Sequence, residues 1–231
     1  MIKGFRGTSL VDYPGKISSV IFTCGCNFRC PYCYNIDLVL PEKYTQLPEI
    51  SEDTVISELL RRRNFIKGVV ITGGEPTIWG KKLIYLIERI FYETGLPVKL
   101  DTNGSNPELL KYLLENNLLD YIAIDFKTAP ARYSEVEGDF LRVEQSLNLL
   151  KNLFPEKTEV RITLYPPLVT QKEIKDMLPY LKGFKYIALQ KFIPEETLSG
   201  NRVEPYSRDT CEFLADYLKE NLQEVILIKR Y

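Results

Sequence analysis

Short apolar runs rich in β-branched residues alternate with amphipathic helical patterns along most of the chain. The runs that read as strands are 18–23, 69–71, 98–100, 121–124, 160–164 and 186–189. Strands that alternate with helices in this way predict a parallel, right-handed α/β sheet. Six strand–helix units are too few to close an eight-stranded barrel, so we predict an open, partial (β/α)6 barrel of the TIM-like kind.

Helix start and stop signals support this order. Ser51 is a typical N-cap, Thr170 and Glu173 have the spacing of a capping box, and Gly95 ends the helix over 83–92. We predict one domain over 1–231, with a short N-terminal extension over 1–17, the partial barrel over 18–205, and a C-terminal helix and strand over 206–231.

The composition argues against several kinds of partner. The 231 residues carry a net charge near −1, which disfavours nucleic acid because phosphate neutralisation calls for a basic protein. We expect no membrane association, since no run approaches the roughly 20 apolar residues of a membrane span. The N-terminus is too polar for a signal peptide, so we expect a reducing, cytoplasmic location.

Three cysteines, Cys26, Cys30 and Cys33, lie within eight residues directly after the first predicted strand. Thiolates are the ligands that hold iron–sulfur clusters. Three ligands on a cube with four irons would leave one iron open to a small molecule. The chain contains no histidine, which removes Ser-His and Cys-His catalysis and mixed Cys/His zinc sites. The run therefore predicts a reactive 4Fe–4S cluster.

Other readings of the cysteines stay open at this point. Cys24 would complete four thiols for structural zinc, although zinc sites usually place two ligand pairs on separate hairpins. Disulfides fit poorly with five cysteines and a reducing compartment. A non-catalytic electron carrier is a further alternative. Cys211 stands alone on a predicted helix, where we expect a small buried hydrophobe.

Polar residues follow the predicted strands at their carboxyl ends, where parallel strands build ligand sites. The Gly73-Gly74 pair could be an ordinary turn or could allow close backbone approach by a ligand. Asp125 and Lys127 could form a plain ion pair or bind the charged ends of a ligand. Tyr32 could stack on a bound ring or pack in the core. The strand-end residues are Gly73, Gly74, Glu75, Asp101, Thr102, Asn103, Asp125, Lys127 and Arg161.

These motifs together resemble the radical S-adenosylmethionine (SAM) superfamily. Cys26, Cys30, Tyr32 and Cys33 match its Cys-x3-Cys-x-aromatic-Cys motif, and residues 73–75 match its Gly-Gly-Glu element. More narrowly, the chain resembles the activating enzymes of glycyl radical enzymes. The strings over 8–15 and 25–35 are similar to those of the anaerobic ribonucleoside-triphosphate reductase activating proteins.

The resemblance implies a role for each matched residue. Cys26, Cys30 and Cys33 would bind the 4Fe–4S cluster, whose open iron would take the amino and carboxylate groups of SAM. Gly73 and Gly74 would meet the SAM amino group through their backbones, with Glu75 supporting that loop. The other implied cofactor contacts are Lys127 at the carboxylate, Arg161 and Gln190 at the adenosine end, and Tyr32, Tyr34 and Asn103. Asp101, Thr102 and Asp125 match a site for Na⁺ or K⁺.

The implied reaction is that of an anaerobic oxidoreductase. An electron from reduced flavodoxin or ferredoxin would cleave SAM, and the 5′-deoxyadenosyl radical would take a hydrogen from a glycine of a partner enzyme. Anaerobic ribonucleotide reductase is the expected partner. The alternative is a radical enzyme that acts on a small molecule, similar to 7-carboxy-7-deazaguanine synthase.

Two residues depart from the family pattern. Tyr34 stands where the family usually has histidine, so the polar contact of the imidazole is replaced by a phenol. Cys24 stands where the family usually has glutamine, and we expect a strand-end thiol or a substitute ligand there.

Overall fold

The computed structural model describes residues 1–222 and 225–231. Its strands are β1 (Ile2–Tyr13), β2 (Lys16–Thr23), β3 (Gly68–Gly73), β4 (Val98–Thr102), β5 (Tyr121–Asp125), β6 (Thr158–Leu164), β7 (Tyr186–Lys191) and β8 (Ile226–Arg230). Its α-helices are α1 (Ile36–Val39), α2 (Pro41–Tyr44), α3 (Glu52–Arg62), α4 (Lys81–Arg89), α5 (Pro107–Glu115), α6 (Phe140–Leu153), α7 (Gln171–Leu181) and α8 (Arg208–Asn221).

The strands are ordered in the sheet as they are in the chain, from β1 to β8. β1 runs antiparallel to β2, whereas β2–β3, β3–β4, β6–β7 and β7–β8 are parallel pairs. Helices connect the parallel strands, as a parallel sheet requires. The predicted α/β class with mostly parallel strands is confirmed.

The chain divides into two compact units. The N-terminal unit comprises Met1–Asn27, Asn35–Thr102 and Glu108–Ile122. The C-terminal unit comprises Phe28–Tyr34, Asn103–Pro107 and Ala123–Tyr231. The predicted single domain over 1–231, with its internal boundaries, stays a prediction.

The core of the N-terminal unit lies on the parallel strands β2, β3 and β4. Val20 and Ile21 of β2 and the apolar residues of β3 and β4 are fully buried, which is why these strands read as continuous apolar runs in the sequence. Helix α3 begins where predicted, because the Ser51 hydroxyl accepts a hydrogen bond from the Thr54 backbone N–H at 3.1 Å. Helix α4 continues into a π-helical turn over Ile90–Thr94, and Gly95 follows in the left-handed conformation.

Strand β1 was not predicted, since residues 1–17 were expected to form only an extension. It has 12 residues, and its pairing with β2 shifts register between Ile2 and Gly4, between Arg6 and Ser9, and between Ser9 and Tyr13. These irregularities break the period-two alternation by which a strand is recognised.

The core of the C-terminal unit lies on β6 and β7, whose central apolar residues are fully buried. The predicted capping box at the start of α7 is present in both directions, between Thr170 and Glu173. Cys211 is fully buried on α8, as expected of a small hydrophobe. None of the helices within the described residues is both long enough and apolar enough to cross a membrane.

Arg230 provides a test of how the last strand is attached. Its guanidinium donates two hydrogen bonds of 2.9 Å to Glu159, whose side chain has no exposed surface. Arg230→Met should lower the free energy of unfolding by about 2 kcal/mol, because a buried carboxylate loses its partner. Urea unfolding measures this loss.

Lys229→Met is the matched control from the same strand. Lys229 pairs with Glu212 on the surface, where both side chains are more than a third exposed. Such pairs contribute at most about 1 kcal/mol, so this variant should unfold near the wild-type midpoint. Equal losses in both variants would contradict the tethering role of Arg230.

Candidate functional site

The Gly-Gly-Glu loop at the end of β3 packs directly against the backbone that precedes Cys26. The N–H of Gly74 donates to the Thr23 carbonyl at 2.9 Å, and the N–H of Glu75 donates to the Gly25 carbonyl at 2.7 Å. A Cβ on Gly73 would lie 2.1 Å from the Thr23 oxygen, and one on Gly74 would lie 2.0 Å from the Gly25 oxygen. Glycine is therefore required at these positions because the chain's own backbone approaches them closely. The contact of these glycines with a ligand stays a prediction.

The Glu75 carboxylate is buried and links the ends of β3 and β4. One of its oxygens accepts hydrogen bonds from the Thr77 N–H at 3.0 Å, the Thr77 hydroxyl at 2.5 Å and the Thr102 hydroxyl at 2.7 Å. A buried carboxylate held by several donors has a fixed orientation. Glu75 thus braces the loop from inside the N-terminal unit.

Trp79 is a site residue that the sequence reasoning missed. Its indole N–H donates to the carbonyl of Cys24 at 2.7 Å, two residues before Cys26. Cys24 itself is buried, and its N–H donates to the Met1 carbonyl at 3.0 Å. Trp79 is the only tryptophan and follows the Gly-Gly-Glu element closely, which was a usable signal, but its partner is 55 positions away in the sequence.

Lys99 was also missed. It lies in β4 two residues before Asp101, so both side chains are on the same face of the strand. The Lys99 ammonium contacts the Asp101 carboxylate, and both side chains are almost completely buried. Two of the residues predicted to bind Na⁺ or K⁺ are therefore engaged within the N-terminal unit, Asp101 with Lys99 and Thr102 with Glu75. The cation site stays a prediction.

Cys30 and Cys33 lie on a turn of the C-terminal unit. The Cys33 N–H donates to the Cys30 carbonyl at 3.0 Å. Two backbone hydrogen bonds fix this turn from outside, since Leu198 donates to Cys33 at 2.9 Å and Ser199 donates to Pro31 at 3.1 Å. A shallow pocket of about 330 Å³ adjoins the turn and is lined by Arg29, Pro31, Glu137, Leu198 and Ser199.

Tyr32 is buried beside Cys30. Its ring centroid is 5.2 Å from that of Tyr165, and the Lys127 ammonium lies 6.0 Å from the Tyr32 centroid. The ring therefore packs in the core, and stacking on a ligand stays a prediction. The Tyr32 hydroxyl is buried with no hydrogen-bond partner in the described part of the chain. Burial raises its pKa well above the usual value, so the hydroxyl keeps its proton.

Asp125, Lys127 and Arg161 form a charged triad at the ends of β5 and in β6. One Asp125 oxygen accepts from the Lys127 ammonium at 2.9 Å, and the other accepts from the Arg161 Nε at 2.7 Å. Burial opposes ionisation of Asp125, but the two cations hold its pKa well below its usual range. Burial disfavours the charged form of Lys127, and Asp125 nevertheless raises the lysine's pKa. Two cations and one anion leave a net positive charge, which suits a ligand carboxylate.

The other residues predicted to contact the cofactor, Tyr34, Gln190 and Asn103, differ in exposure and in their partners. Tyr34 is 56% exposed, and Gln190 lies in β7 opposite Thr163 of β6. Asn103 is buried, and its side-chain oxygen accepts from the Ser105 N–H at 2.9 Å. The structure thus groups Cys30, Tyr32, Cys33, Asp125, Lys127 and Arg161 within the C-terminal unit. It places Cys26, Gly73, Gly74, Glu75, Asp101 and Thr102 in the N-terminal unit.

Comparison with known proteins decides the family. Residues 20–181 match the Radical SAM superfamily. The chain belongs to this superfamily. A Methanocaldococcus jannaschii protein provisionally named a glycyl-radical enzyme activating enzyme is 34% identical, over 85% of this chain and 81% of that protein. The pyruvate formate-lyase-activating enzyme of Clostridium pasteurianum is 26% identical, over 96% and 98%.

These relatives confirm the predicted branch of the radical SAM superfamily, the glycyl-radical-enzyme activating enzymes. The narrower likeness to anaerobic ribonucleoside-triphosphate reductase activating proteins stays a prediction.

Solved structures of other proteins share the fold. SuiB of Streptococcus suis bound to S-adenosylmethionine superimposes with a TM-score of 0.68 at 14% identity. The match covers 91% of this chain and 49% of SuiB, so the chain spans about half the length of SuiB. QueE of Escherichia coli gives a TM-score of 0.57 at 16% identity, over 99% of this chain and 92% of QueE. The predicted fold class, a partial TIM-like barrel, is confirmed.

Membership in the radical SAM superfamily implies a 4Fe–4S cluster and SAM. The donor set fits such a cluster, because Cys26, Cys30 and Cys33 supply three thiols within eight residues of sequence. Burial raises the pKa of the Cys30 thiol, and the nearby charge of Lys127 opposes that rise. Within residues 1–222 and 225–231, no three Cys, Asp or Glu side chains are grouped closely enough to hold a metal ion as they stand.

Gly74→Ala tests the packing of the Gly-Gly-Glu loop. The added methyl group would meet the Gly25 carbonyl, and neither backbone can yield without breaking the hydrogen bonds described above. We expect a loss of about 2 kcal/mol or more in the free energy of unfolding, measured with urea, together with a lower iron content after reconstitution.

Gly95→Ala is the control for this substitution. Gly95 has a positive φ of 68° but open space around its Cα, so alanine there adds backbone strain without a clash. Its cost should be about 1 kcal/mol, with normal iron content. A Gly74→Ala protein as stable as Gly95→Ala would show that the loop contact is unimportant.

Proposed function

We propose that this chain reductively cleaves SAM and generates a glycyl radical on a partner enzyme, which is anaerobic ribonucleoside-triphosphate reductase. The observation that carries the proposal is the net positive triad of Asp125, Lys127 and Arg161, which lies in the same unit as Cys30 and Cys33. A reduced cluster held by Cys26, Cys30 and Cys33 would supply the one electron whose transfer to the sulfonium of SAM releases methionine and a 5′-deoxyadenosyl radical. The protein supplies position and shielding.

In this proposal Cys26, Cys30 and Cys33 are the cluster ligands. Their support comes from their spacing in the sequence and from the hydrogen-bonded backbone around them. We do not assign Cys24 as a ligand, because its side chain is buried, its carbonyl accepts from the Trp79 indole and its N–H donates to the Met1 carbonyl.

The charged triad would bind the carboxylate of SAM. Lys127 would be the direct contact, and Asp125 would hold the lysine in place while Arg161 keeps the net charge positive. The buried Tyr32 hydroxyl, which keeps its proton, would supply a donor beside Cys30. Tyr34, Asn103 and Gln190 would complete the cofactor contacts of this unit, with Gln190 and Arg161 towards the adenosine.

In the N-terminal unit, the backbone of Gly73 and Gly74 would meet the amino group of SAM. Glu75 would act through the loop, since its carboxylate is taken up by Thr77 and Thr102. Preorganised groups of this kind need no rearrangement when the substrate binds, which is the main electrostatic contribution that a protein can make.

A protein substrate is supported by the relatives. The Methanocaldococcus jannaschii and Clostridium pasteurianum proteins both carry names of activating enzymes. The sequence over 8–15 is similar to that of the anaerobic ribonucleoside-triphosphate reductase activating proteins. This similarity favours anaerobic ribonucleotide reductase as the partner. Reduced flavodoxin or ferredoxin would be the electron donor, because cleavage of SAM requires a strong one-electron reductant.

A second candidate function is a small-molecule reaction like that of 7-carboxy-7-deazaguanine synthase. The Thermococcus kodakarensis enzyme of that name is 28% identical over 83% of this chain. The identity is lower than the 34% of the Methanocaldococcus jannaschii protein, so we favour the activating enzyme.

The proposal is tested by measuring SAM cleavage after anaerobic reconstitution with iron and sulfide. Wild-type protein with dithionite should release 5′-deoxyadenosine and methionine. Cys30→Ala should lose both iron and activity. Lys127→Met should keep its iron but raise the KM for SAM about tenfold or more, because a charge-assisted hydrogen bond to the carboxylate is lost.

Lys111→Met is the control, since Lys111 lies on α5 with an exposed side chain paired to Glu115. It should cleave SAM like the wild type. Normal SAM cleavage by Lys127→Met would remove the triad from the mechanism. No cleavage by fully loaded wild-type protein would overturn the proposed activity.

A further inference from the structure

We propose that Lys99 is a built-in replacement for a monovalent metal ion at Asp101, so that this enzyme needs neither Na⁺ nor K⁺. The inference rests on the proposed function in one respect, which is that Asp101 belongs to the SAM site. The role assigned to Lys99 is that of a positioning residue that acts through Asp101.

The geometry of the Lys99–Asp101 pair carries the inference. Both residues lie on one face of β4, and their side chains are only 3% and 10% exposed. The Lys99 ammonium is in hydrogen-bond contact with the Asp101 carboxylate. A counter-charge stabilises a buried carboxylate, and here the side chain of Lys99 supplies it.

A free cation at the same oxygen would have to displace the ammonium. The two positive charges would repel each other in a buried site, where water screens them poorly. The neighbouring hydroxyl of Thr102 donates to Glu75, so its proton is directed at that carboxylate. The two oxygen donors expected at this end of β4 therefore serve groups of the protein itself.

In the C-terminal unit a carboxylate matched to the cation site is also paired with cationic side chains. Both oxygens of Asp125, the third residue matched to a cation site, accept hydrogen bonds from cationic side chains. Asp101 is thus paired with Lys99 in the N-terminal unit, and Asp125 is paired with Lys127 and Arg161 in the C-terminal unit. A bound metal cation would add a positive charge beside carboxylates that already have cationic partners.

The first measurement concerns the wild-type protein without cluster or SAM. A cation that binds the folded state raises the melting temperature by mass action. The melting temperature should be the same in KCl, NaCl and tetramethylammonium chloride at equal ionic strength. The width of the ²³Na NMR line in the presence of the wild-type protein should also equal its width in the presence of the Lys99→Arg protein. A specific rise in melting temperature with Na⁺ or K⁺ would overturn the proposal.

The second measurement uses Lys99→Met, which keeps the length of the side chain and removes its charge. Its melting temperature should be lower in tetramethylammonium chloride and should recover in a saturable manner with NaCl or KCl. Lys99→Arg should show no such cation dependence, and the surface variant Lys111→Met should behave as the wild type. A folded Lys99→Met protein that is indifferent to Na⁺ and K⁺ would overturn the proposal.

The third measurement connects the pair to the reaction. SAM cleavage by loaded wild-type enzyme should be independent of Na⁺ and K⁺, whereas loaded Lys99→Met should regain SAM affinity when either ion is added. If Lys99→Met fails to fold in every salt, the wild-type melting and NMR comparisons still decide the proposal. Absence of SAM cleavage in all salts would count against the proposed function alone, because those two comparisons do not involve SAM.

Discussion

The packing of the Gly-Gly-Glu loop against residues 23–25 is the contact on which the rest of the N-terminal unit's site depends. Two backbones meet with no space for a single methyl group, and hydrogen bonds of 2.9 and 2.7 Å lock them together. The end of β3 therefore fixes the path of the chain as it leaves β2 and enters the cysteine run. Glu75 and Trp79 reinforce the same contact from the other side of the loop. As a result, the backbone that leads into Cys26 is held in a fixed position.

Three carboxylates in the interior have cationic partners. Asp101, Asp125 and Glu159 are each paired with a lysine or arginine of the same unit. Such pairs are costly to bury, and they contribute more to a defined arrangement than to net stability. At the triad, Asp125 is paired with two cations, and the proposed function assigns this group to the carboxylate of SAM. The same kind of pairing is the basis for the proposal that Lys99 takes the place of a metal ion at Asp101.

Local patterns predicted much of the fold. The parallel strands, the Ser51 cap, the capping box at Thr170 and the burial of Cys211 all depend on residues near each other in the sequence. Strand β1 could not be predicted, because its irregular pairing hides the alternation of buried and exposed residues.

The candidate site likewise combines residues that local spacing could identify with contacts that it could not. The cysteine run and the strand-end residues could be identified from spacing. The partner of Trp79, 55 positions away, and the pairing of Asp125 with Arg161, 36 positions away, could not, because only the folded chain brings them together. Lys99 is the exception, since its place two residues before Asp101 in a strand was a signal that could have been used.

The most direct test of the account is hydrogen transfer from a protein glycine. Anaerobic ribonucleoside-triphosphate reductase from the same organism would be prepared with glycine deuterated at Cα and mixed with the reduced, loaded enzyme and SAM. The account predicts one deuterium in the released 5′-deoxyadenosine and the electron paramagnetic resonance doublet of a glycyl radical on the reductase. Cleavage of SAM without deuterium transfer and without that signal would contradict the assignment of this partner and would favour a small-molecule substrate.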